Sequence, residues 1–255
     1  MKRIKLEIAY DGTRYCGWQL QPGKLSVEAV LNKALSSLFK EDILVIGASR
    51  TDSGVHALGN VAVFDTEARM SAEKICPAVN QRLPEDIRVQ SSIEVAPDFH
   101  PRRVSNRKTY EYRILNRKIS MPTQRLYSDY QYCDLDITAM QKAAVYLVGE
   151  HDFKSFCSIR THALETVRTI YRLEVTKKED IITISITGNG FLYNMVRIIV
   201  GTLIKVGRGA YPPEKMVDIL RGCSRSLAGP TAHPNGLTLI HIEYENKPII
   251  EEEDS

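Results

Sequence analysis

The segment ILVIGASRTDSGVHALGNVAVFDT, from Ile43 to Thr66, places a polar loop between two apolar runs. The runs, 43–46 and 61–64, have the apolar and β-branched composition of buried strands. The loop between them carries a guanidinium, a carboxylate and an imidazole, those of Arg50, Asp52 and His56. A plain turn needs Gly, Asn or Asp, but it does not need an arginine close to the aspartate. The segment therefore predicts two strands that hold a polar, chemically active loop at the end of a buried sheet.

The apolar pattern on both sides of this segment predicts an α+β fold. The first half reads β-α-β-β-α-β, with strands at 4–9, 43–48, 60–65 and 87–93, a helix at 27–38 capped by Ser26, and a helix from Ser71 to about 79. The second half has strands at 109–115, 126–131, 167–175, 180–187 and 237–244, and helices at 136–147, 191–206 and 214–221. Two successive split βαβ units predict two related, ferredoxin-like halves whose sheets join into one mixed, mainly antiparallel sheet. The predicted halves are 1–105 and 106–248, followed by an acidic, disordered tail at 249–255.

The composition indicates a soluble, cytoplasmic protein. The chain has 255 residues, 43% of them hydrophobic, and its charged N-terminal stretch lacks the apolar core of a signal peptide. The longest apolar run, 191–206, is interrupted by Asn194, Arg197 and Lys205, so it is not predicted to cross a bilayer. The five cysteines are far apart and odd in number, which supports neither a disulfide framework nor a zinc site. The net charge of +3 is too small to identify a polyanionic partner by itself.

Asp52 is the candidate catalytic residue of the polar loop. Because it follows an apolar strand, its carboxylate should be partly desolvated, and Arg50 beside it would favour the ionised form. An ionised carboxylate that is shielded from water is a nucleophile or a general base. The alternative is a β-turn or bulge with solvated charges, which is common between strands. His56 is interpreted as support for the loop rather than as a direct participant.

Two hydrolytic chemistries fit the loop poorly. No Gly-x-Ser-x-Gly motif accompanies the hydroxyls of Ser49, Thr51 and Ser53, which disfavours a serine hydrolase. The Asp-Ser-Gly sequence at 52–54 resembles the turn of aspartic proteases, but those enzymes need two such carboxylates. The other Asp-Gly pair, at 11–12, lacks the flanking apolar pattern.

A basic and aromatic segment, 98–118, predicts contact with nucleic acid. Seven basic side chains lie among the rings of this segment, namely Arg102, Arg103, Arg107, Lys108, Arg113, Arg117 and Lys118. Cations can pair with phosphates, and flat rings can stack on the bases of looped or single-stranded nucleic acid. The alternative is a solvated edge strand that uses charge against aggregation. Tyr110 and Tyr112 share one strand face, so at least one of them could be ordinary core.

The segment GNGFLYNMVRIIVGTL, 188–203, predicts a helix with an apolar stripe. One interpretation is an ordinary amphipathic helix with a solvated side. The other places Arg197, held by apolar neighbours, against a buried acid, for which Asp52 is the natural partner. Periodicity alone slightly favours the first interpretation.

Taken together, these motifs resemble the TruA family of tRNA pseudouridine synthases. The similarity runs from Ile8 to about Tyr244 and rests on five stretches in family order: YDGTRYCGWQLQP, SRTDSGVHALGNVAVFDT, FHPRRVSNRKTYEYRILN, HDFKSF and GFLYNMVRIIVGTLIKVG. A few positions differ from the family pattern without removing a chemical group: Ser49 and Ser53 stand where Gly and Ala are more frequent, and Pro101 and Val104 also differ.

The resemblance implies an enzyme that converts uridine to pseudouridine at positions 38, 39 and 40 of the tRNA anticodon stem-loop. It implies a homodimer without cofactor or metal. It also implies that the helices cover one face of the sheet and that the active-site cleft lies on the other.

The same resemblance implies a role for individual residues. Asp52 matches the family's nucleophile, Tyr110 the tyrosine that stacks on the target uracil, and Arg197 the arginine that pairs with the acid. Arg50 matches the arginine associated with extrusion of the base. The further residues predicted to bind RNA are Arg102, Arg103 and Arg107.

The implied chemistry agrees with a lone shielded acid. Isomerisation breaks the N1–C1′ bond, turns the uracil and joins C5 to C1′ without releasing the base. The carboxylate of Asp52 could trap the sugar at C1′ or add to C6 of the ring, and the hydroxyl of Tyr110, or water, could help to remove the C5 proton. A target inside a stem must first be flipped out. The alternative function is a non-catalytic RNA-binding protein on the same scaffold, although a carboxylate in its binding face would repel phosphates.

Overall fold

The computed structural model of the protein describes residues 1–158 and 165–245. The predicted acidic tail, 249–255, lies outside the described residues. No helix in the described part of the chain is long and apolar enough to cross a bilayer.

The described residues form one sheet with helices packed on it. The strands are β1 (Lys2–Tyr10), β2 (Ile46–Gly47), β3 (His56–Thr66), β4 (Ile87–Val95), β5 (Asn106–Asn116), β6 (Asp129–Gln131), β7 (Gly149–Asp152), β8 (Val167–Lys178), β9 (Ile181–Gly188) and β10 (Leu237–Tyr244). The helices are α1 (Val27–Phe39), α2 (Ala72–Asn80), α3 (Ile137–Val145), α4 (Met195–Gly207) and α5 (Lys215–Gly222). The mixed, mainly antiparallel sheet confirms the predicted α+β class.

The two halves of the chain repeat one strand order. In the first half the sheet order is β4-β1-β3-β2, and in the second half it is β10-β5-β9-β8. In each case the fourth strand lies beside the first and the third lies beside the second, as in a split βαβ unit. The predicted pair of ferredoxin-like halves is therefore present as a topological repeat.

The halves join because β2 is short. It pairs with β3 only at Val63 and Ala62, so the opposite end of β3 stays free for another partner. That end, at His56 and Ala57, pairs in parallel with Thr238 and Leu239 of β10. The predicted strand 43–48 shrinks to two residues, and this shortening opens the place where the second half docks.

One face of the sheet is apolar and carries the helices. On β1 the side chains of Ile4, Leu6 and Ile8 are fully buried, whereas the residues between them are half-buried, as period-two alternation requires. The ring of Phe39, at the end of α1, packs 5.7 Å from that of Phe64, which pairs with Ile4. Burial of each such aliphatic side chain stabilises the fold by roughly 1.5–3 kcal/mol. The core therefore lies between the helices and this face.

Helix α4 departs from the prediction of an amphipathic helix with a solvated side. It begins at Met195 rather than near 191, because Asn194 adopts a left-handed backbone conformation with φ of 62°. Eleven of its 13 residues are buried. A Cβ at Gly201 would lie 1.8 Å from the carbonyl oxygen of Pro230, so only glycine lets the segment 229–232 lie against the helix. The interpretation of a solvated side is wrong, because this segment covers it.

The remaining differences are local. Ser26 caps α1 by accepting a hydrogen bond from the backbone N–H of Ala29, as predicted. Ser71 precedes α2, but its side chain makes no capping hydrogen bond. Strand β7 was not predicted, because its four residues, Gly149–Asp152, have no alternating apolar pattern. It is defined by its antiparallel pairing with β8.

Candidate active site

A cleft of about 820 Å³ lies between the two halves. The loop 48–55, the strand β5 and the start of α4 line it, and they place Asp52, Tyr110 and Arg197 around one space. Six basic residues also line it: Lys24, Arg50, Arg102, Lys108, Arg168 and Arg197. Asp52 is the single acidic residue among the described residues that line the cleft. The structure therefore brings the sequence-predicted Asp, Tyr and Arg together in a basic cavity.

The cleft lies on the helix-bearing face of the sheet, which corrects the expectation that it lies on the other face. Tyr110 pairs with Leu239 of β10 and Ile186 of β9, and all three belong to the buried face. Arg197 enters from α4, a helix on that same face. The cleft therefore lies between elements of the two halves, on the face that carries the helices.

Asp52 is held against Arg197. Its Oδ2 lies 3.3 Å from the guanidinium Nη1, and the two side chains are only 19% and 15% exposed. Burial raises the pKa of the Asp52 carboxyl, while the charge and hydrogen bond of Arg197 oppose that rise. The carboxylate is thus mostly desolvated and has one cation to stabilise its ionised form.

The cation beside Asp52 is Arg197 and not Arg50. Arg50 is exposed and lines the cleft, and the groups that shift the pKa of Asp52 are its own burial and Arg197. The prediction that Arg50 stabilises the ionised acid is therefore wrong. The Arg50 side chain is instead exposed at the cleft, where it can reach a substrate.

Arg197 is fixed in the cleft by two further acceptors. Its Nε donates to the carbonyl oxygen of Ala232 at 2.8 Å, and its Nη1 donates to the Oδ1 of Asn194 at 2.9 Å. The other end of the Asn194 amide donates to the hydroxyl of Ser158 at 2.7 Å. Asn194, about one helical turn before Arg197, therefore orients its guanidinium. The sequence signal for it was an Asn three residues before the Arg on a helical face.

Tyr110 forms one wall of the cleft. Its hydroxyl lies 2.8 Å from the Oγ of Ser49, and the ring of Phe191 stands edge-on at 5.3 Å between centroids. Burial raises the pKa of Tyr110 to about 12, the hydrogen bond with Ser49 opposes this rise, and the charge of Asp52 adds to it. The hydroxyl is therefore protonated at neutral pH. Sequence reasoning placed Phe191 only in an apolar stripe and missed its contact with Tyr110.

Tyr112, by contrast, is core. It is fully buried, and its hydroxyl donates to the carbonyl oxygen of His233 at 2.8 Å. The expectation that one of the two tyrosines on this face is ordinary core is confirmed.

The N-terminal half folds the loop of Asp52 into place. The backbone N–H of Trp18 donates to the carbonyl oxygen of Thr51 at 3.0 Å, and the Thr51 hydroxyl lies 2.8 Å from the hydroxyl of Tyr10. Gly17 has φ of 104°, and a Cβ there would lie 2.5 Å from the same Thr51 oxygen. Its missing side chain allows the close approach of the two segments.

His56 lies behind the loop and outside the cleft. Its Nδ1 accepts from the backbone N–H of Gly12 at 3.1 Å, and its Nε2 lies 2.9 Å from the carbonyl oxygen of Leu126. This buried ring joins the turn after β1 to a segment of the second half. Its position agrees with the interpretation of His56 as support for the loop.

The predicted RNA-binding arginines are not all in one place. Arg102 lines the cleft, whereas Arg103 is exposed in the neighbouring turn. Arg107 lies on the opposite face of β5 from Tyr110, where its guanidinium is 4.8 Å from the Tyr171 ring centroid and 3.7 Å from the carboxylate of Glu245. The structure therefore does not bring Arg107 to the cleft.

No metal site accompanies these groups in the described ranges. Within 1–158 and 165–245, no cluster of three or more His, Cys, Asp or Glu side chains is arranged to hold a metal ion.

Comparison with known proteins identifies the class. The family described as tRNA pseudouridine synthase matches the chain twice, at residues 7–102 and 143–245. The chain therefore belongs to the tRNA pseudouridine synthase family, and the protein is an isomerase that acts on uridine in tRNA.

Individual relatives show how similar the chain is to named members of this family. Proteins named tRNA pseudouridine synthase A from Thermoanaerobacter sp. (strain X514) and Brevibacillus brevis are 48% and 45% identical to the chain over 244 residues, which is 96% of this chain and 100% of each relative. A third, from Ruminiclostridium cellulolyticum, is 46% identical over 245 residues, with the same coverage. A chain from a crystal structure of a Cbf5-Nop10-Gar1 complex aligns with 79% of this chain and 54% of its own, at 13% identity and a TM-score of 0.32, which carries no argument about the fold.

Proposed function

We propose that the protein isomerises uridine at positions 38, 39 and 40 of the tRNA anticodon stem-loop, with Asp52 as the nucleophile. One observation above the others supports Asp52 as the nucleophile. Asp52 is the single acidic group among the described residues that line a cleft with six basic side chains, and its ionised form is paired with a fixed guanidinium. A binding surface for RNA gains nothing from such a carboxylate, whereas covalent catalysis needs one.

The reaction assigns each group a task. Asp52 forms a transient bond to the nucleotide, at C1′ of the sugar or at C6 of the ring, and both routes are compatible with one buried carboxylate. The N1–C1′ bond breaks, the uracil turns against the ring of Tyr110, C5 bonds to C1′, and the bond to Asp52 breaks, which returns the carboxylate. A base then removes the C5 proton. Because the Tyr110 hydroxyl is protonated at neutral pH, it suits hydrogen bonding to the base better than proton removal.

The basic residues serve binding and base flipping. A uridine in the stem must leave the stack before it can reach Asp52, which costs a few kcal/mol. Arg50, exposed at the mouth of the cleft, is suited to fill the space that the base leaves, and Arg102 and Arg103 are suited to hold the backbone. Arg107 is retained as a phosphate contact only for RNA that wraps onto the other face of the sheet.

Tritium release tests this proposal directly. Pseudouridylation is mass-neutral, but it displaces the hydrogen at C5, so uridine labelled there with tritium reports each turnover. Transcripts with uridine at one of positions 38, 39 and 40 at a time should each release tritium with the wild-type protein. They should release none above background with Asp52→Asn. Release from a uridine elsewhere, with none from these three positions, would contradict the assignment of the site on tRNA.

The assembly and the cellular setting are proposals from the family resemblance. We infer a homodimer in the cytoplasm, where tRNA is found, with subdomains at 1–105 and 106–248. The repeated strand order of the two halves supports the division. Light scattering of the purified chain at micromolar concentration tests the dimer, since a mass of one chain would contradict it.

A further inference from the structure

Two basic side chains, those of Lys108 and Arg168, lie near one another in the cleft. Lys108 stands two residues before Tyr110 on β5, and both project from the same face of the strand. Arg168 belongs to β8 and shares that face, since both Ile170 and Lys108 pair with Gly188. Both side chains line the cleft, and Arg102 lies at its rim nearby.

The positive charge of this group is not balanced by neighbouring acids. In the described part of the chain, none of Lys108, Arg168 and Arg102 forms an ion pair with a carboxylate. The Nζ of Lys108 donates to the backbone carbonyl oxygen of Ala48 at 3.0 Å, and the Arg168 guanidinium donates to backbone carbonyl oxygens. Burial, together with the charges of Arg102 and Arg168, lowers the pKa of Lys108 to about 8. The free protein thus keeps a desolvated cation among like charges, which a bound anion would relieve.

Two acids near the pair lie outside the cleft. Glu150 and Glu165 border a shallower depression that Lys108 and Arg168 also line. Neither of them lines the space that holds Asp52 and Tyr110. An anion that entered from the cleft would therefore meet the cations first.

We propose that Lys108 and Arg168, with Arg102 at the rim, form a subsite for one phosphodiester group adjoining the target uridine. This inference rests on the proposed function of the cleft. Residues two apart on one strand face are about 7 Å apart, which is comparable to the distance between a nucleobase and its own phosphate. A base stacked on Tyr110 would accordingly place its phosphate at Lys108. The lysine supplies a point charge and the arginine a planar fork, the usual pair of phosphate contacts.

The test removes one charge from the protein and one from the RNA. Transcripts carry a single methylphosphonate, which is neutral, on the 5′ or the 3′ side of the target uridine. Equilibrium binding to wild type and Lys108→Gln is measured by fluorescence anisotropy of a dye at the acceptor end. One of the two linkages should weaken wild-type binding about tenfold, and Lys108→Gln should weaken binding of unmodified tRNA about tenfold. The two changes together should cause no further loss, because they remove the same contact. The salt dependence of binding should fall by about one unit of slope in the variant.

Arg172→Gln is the matched control. Arg172 lies on the same strand as Arg168, but it pairs with Thr187 on the opposite face and forms an ion pair with Glu174. In Arg172→Gln, the methylphosphonate should weaken binding as much as it does in the wild-type protein. If the losses from Lys108→Gln and from each methylphosphonate simply multiply, the subsite does not exist.

A second variant keeps the test decisive if Lys108→Gln does not fold, as judged from its thermal melting. Arg168→Gln changes a half-buried side chain and should show the same loss of sensitivity to the same linkage. Tritium release by the wild-type protein is measured in parallel. Its absence would contradict the proposed function, whereas multiplying losses with normal release would contradict only the phosphate subsite.

Discussion

The two halves of the sheet share one strand order but differ in the connection between their second and third strands. In the second half, β8 and β9 are joined by the tight turn of Glu179 and Asp180, with Glu179 at φ of 53°. In the first half the same connection is the loop 48–55, which folds back against β1 and carries Asp52. The comparison teaches that the frame is duplicated and the chemistry is not. In the first half, the loop that carries the proposed nucleophile stands where the second half has a plain turn.

The second helices of the two halves, α2 and α4, differ in whether they reach the cleft. In α2 the buried residues are Ile75 and Val79, and the helix does not reach the cleft. Helix α4 is buried almost throughout and presents Arg197 to the loop of the other half. The first half therefore supplies the acid, and the second supplies the cation and the aromatic wall. The site exists only where the halves meet.

The largest difference is expected between Asp52 and Asp180, two aspartates that lie in corresponding connections of the two halves. Asp52→Asn should lower turnover by about 10⁴-fold with nearly unchanged tRNA affinity, because it removes the proposed nucleophile and no phosphate contact. Asp180→Asn changes an exposed acid paired with Arg117 and should leave turnover at the wild-type level. Tritium release at saturating tRNA measures the turnover of both variants. Equal losses in the two would contradict the idea that the loop, and not the turn, carries the chemistry.

The substitution of Asp52 should also change the stability of the fold. Burial raises the pKa of Asp52 in the folded state, so its ionisation at neutral pH disfavours folding. Asp52→Asn should therefore melt at or above the wild-type temperature at neutral pH. This advantage should disappear as the pH falls below the pKa of the unfolded carboxyl, because both proteins are then neutral at this position.

A smaller loss is expected when the helix contribution is removed. Arg197→Met should lower turnover by about 10²–10³-fold, because the charge that stabilises the ionised acid is lost. Since Arg197 opposes the rise in the pKa of Asp52, the acidic limb of the pH–rate profile should also move to higher pH. Arg221→Met, on the surface of α5, serves as the control. A lower rate with an unmoved acidic limb would mean that Arg197 acts on the substrate and not on Asp52.

Asn194 should show a still smaller and more specific effect. Asn194→Gly keeps the left-handed start of α4 but removes the acceptor of Arg197, so we expect about a tenfold loss in kcat with little change in KM. Asn194→Asp puts a second carboxylate on the same guanidinium and should shift the acidic limb upward. Tritium release across a range of pH distinguishes this from general loosening, which would not move the limb.

The smallest effect is expected from Tyr10, at the end of the first strand of the first half. The hydroxyl of Tyr10 bonds to Thr51 and Asn60 under the loop and does not line the cleft. Tyr10→Phe should cost about 1 kcal/mol of stability and keep most of the turnover. A thermal melt and a tritium-release rate suffice as measurements. A large loss of turnover at unchanged stability would show that the underside of the loop takes part in catalysis.

The sequence by itself determined most of the strand and helix order and the polar loop with Asp52. These features follow from local periodicity, from a carboxylate placed after an apolar strand, and from motifs that resemble one family. Such signals are carried within short segments, so they survive without knowledge of the fold.

Tertiary structure alone decided which side of the sheet holds the cleft and which cation accompanies the acid. Arg50 is two residues from Asp52 in the chain, yet Arg197, 145 residues away, makes the contact. Arg107 and Lys108 are adjacent, yet strand alternation sends them to opposite faces. Gly201 looked like part of a solvated face until the segment 229–232 packed on it. Each outcome depends on how distant segments pack, and sequence spacing does not encode that packing, because through-space distance and burial arise only once the two halves share a sheet.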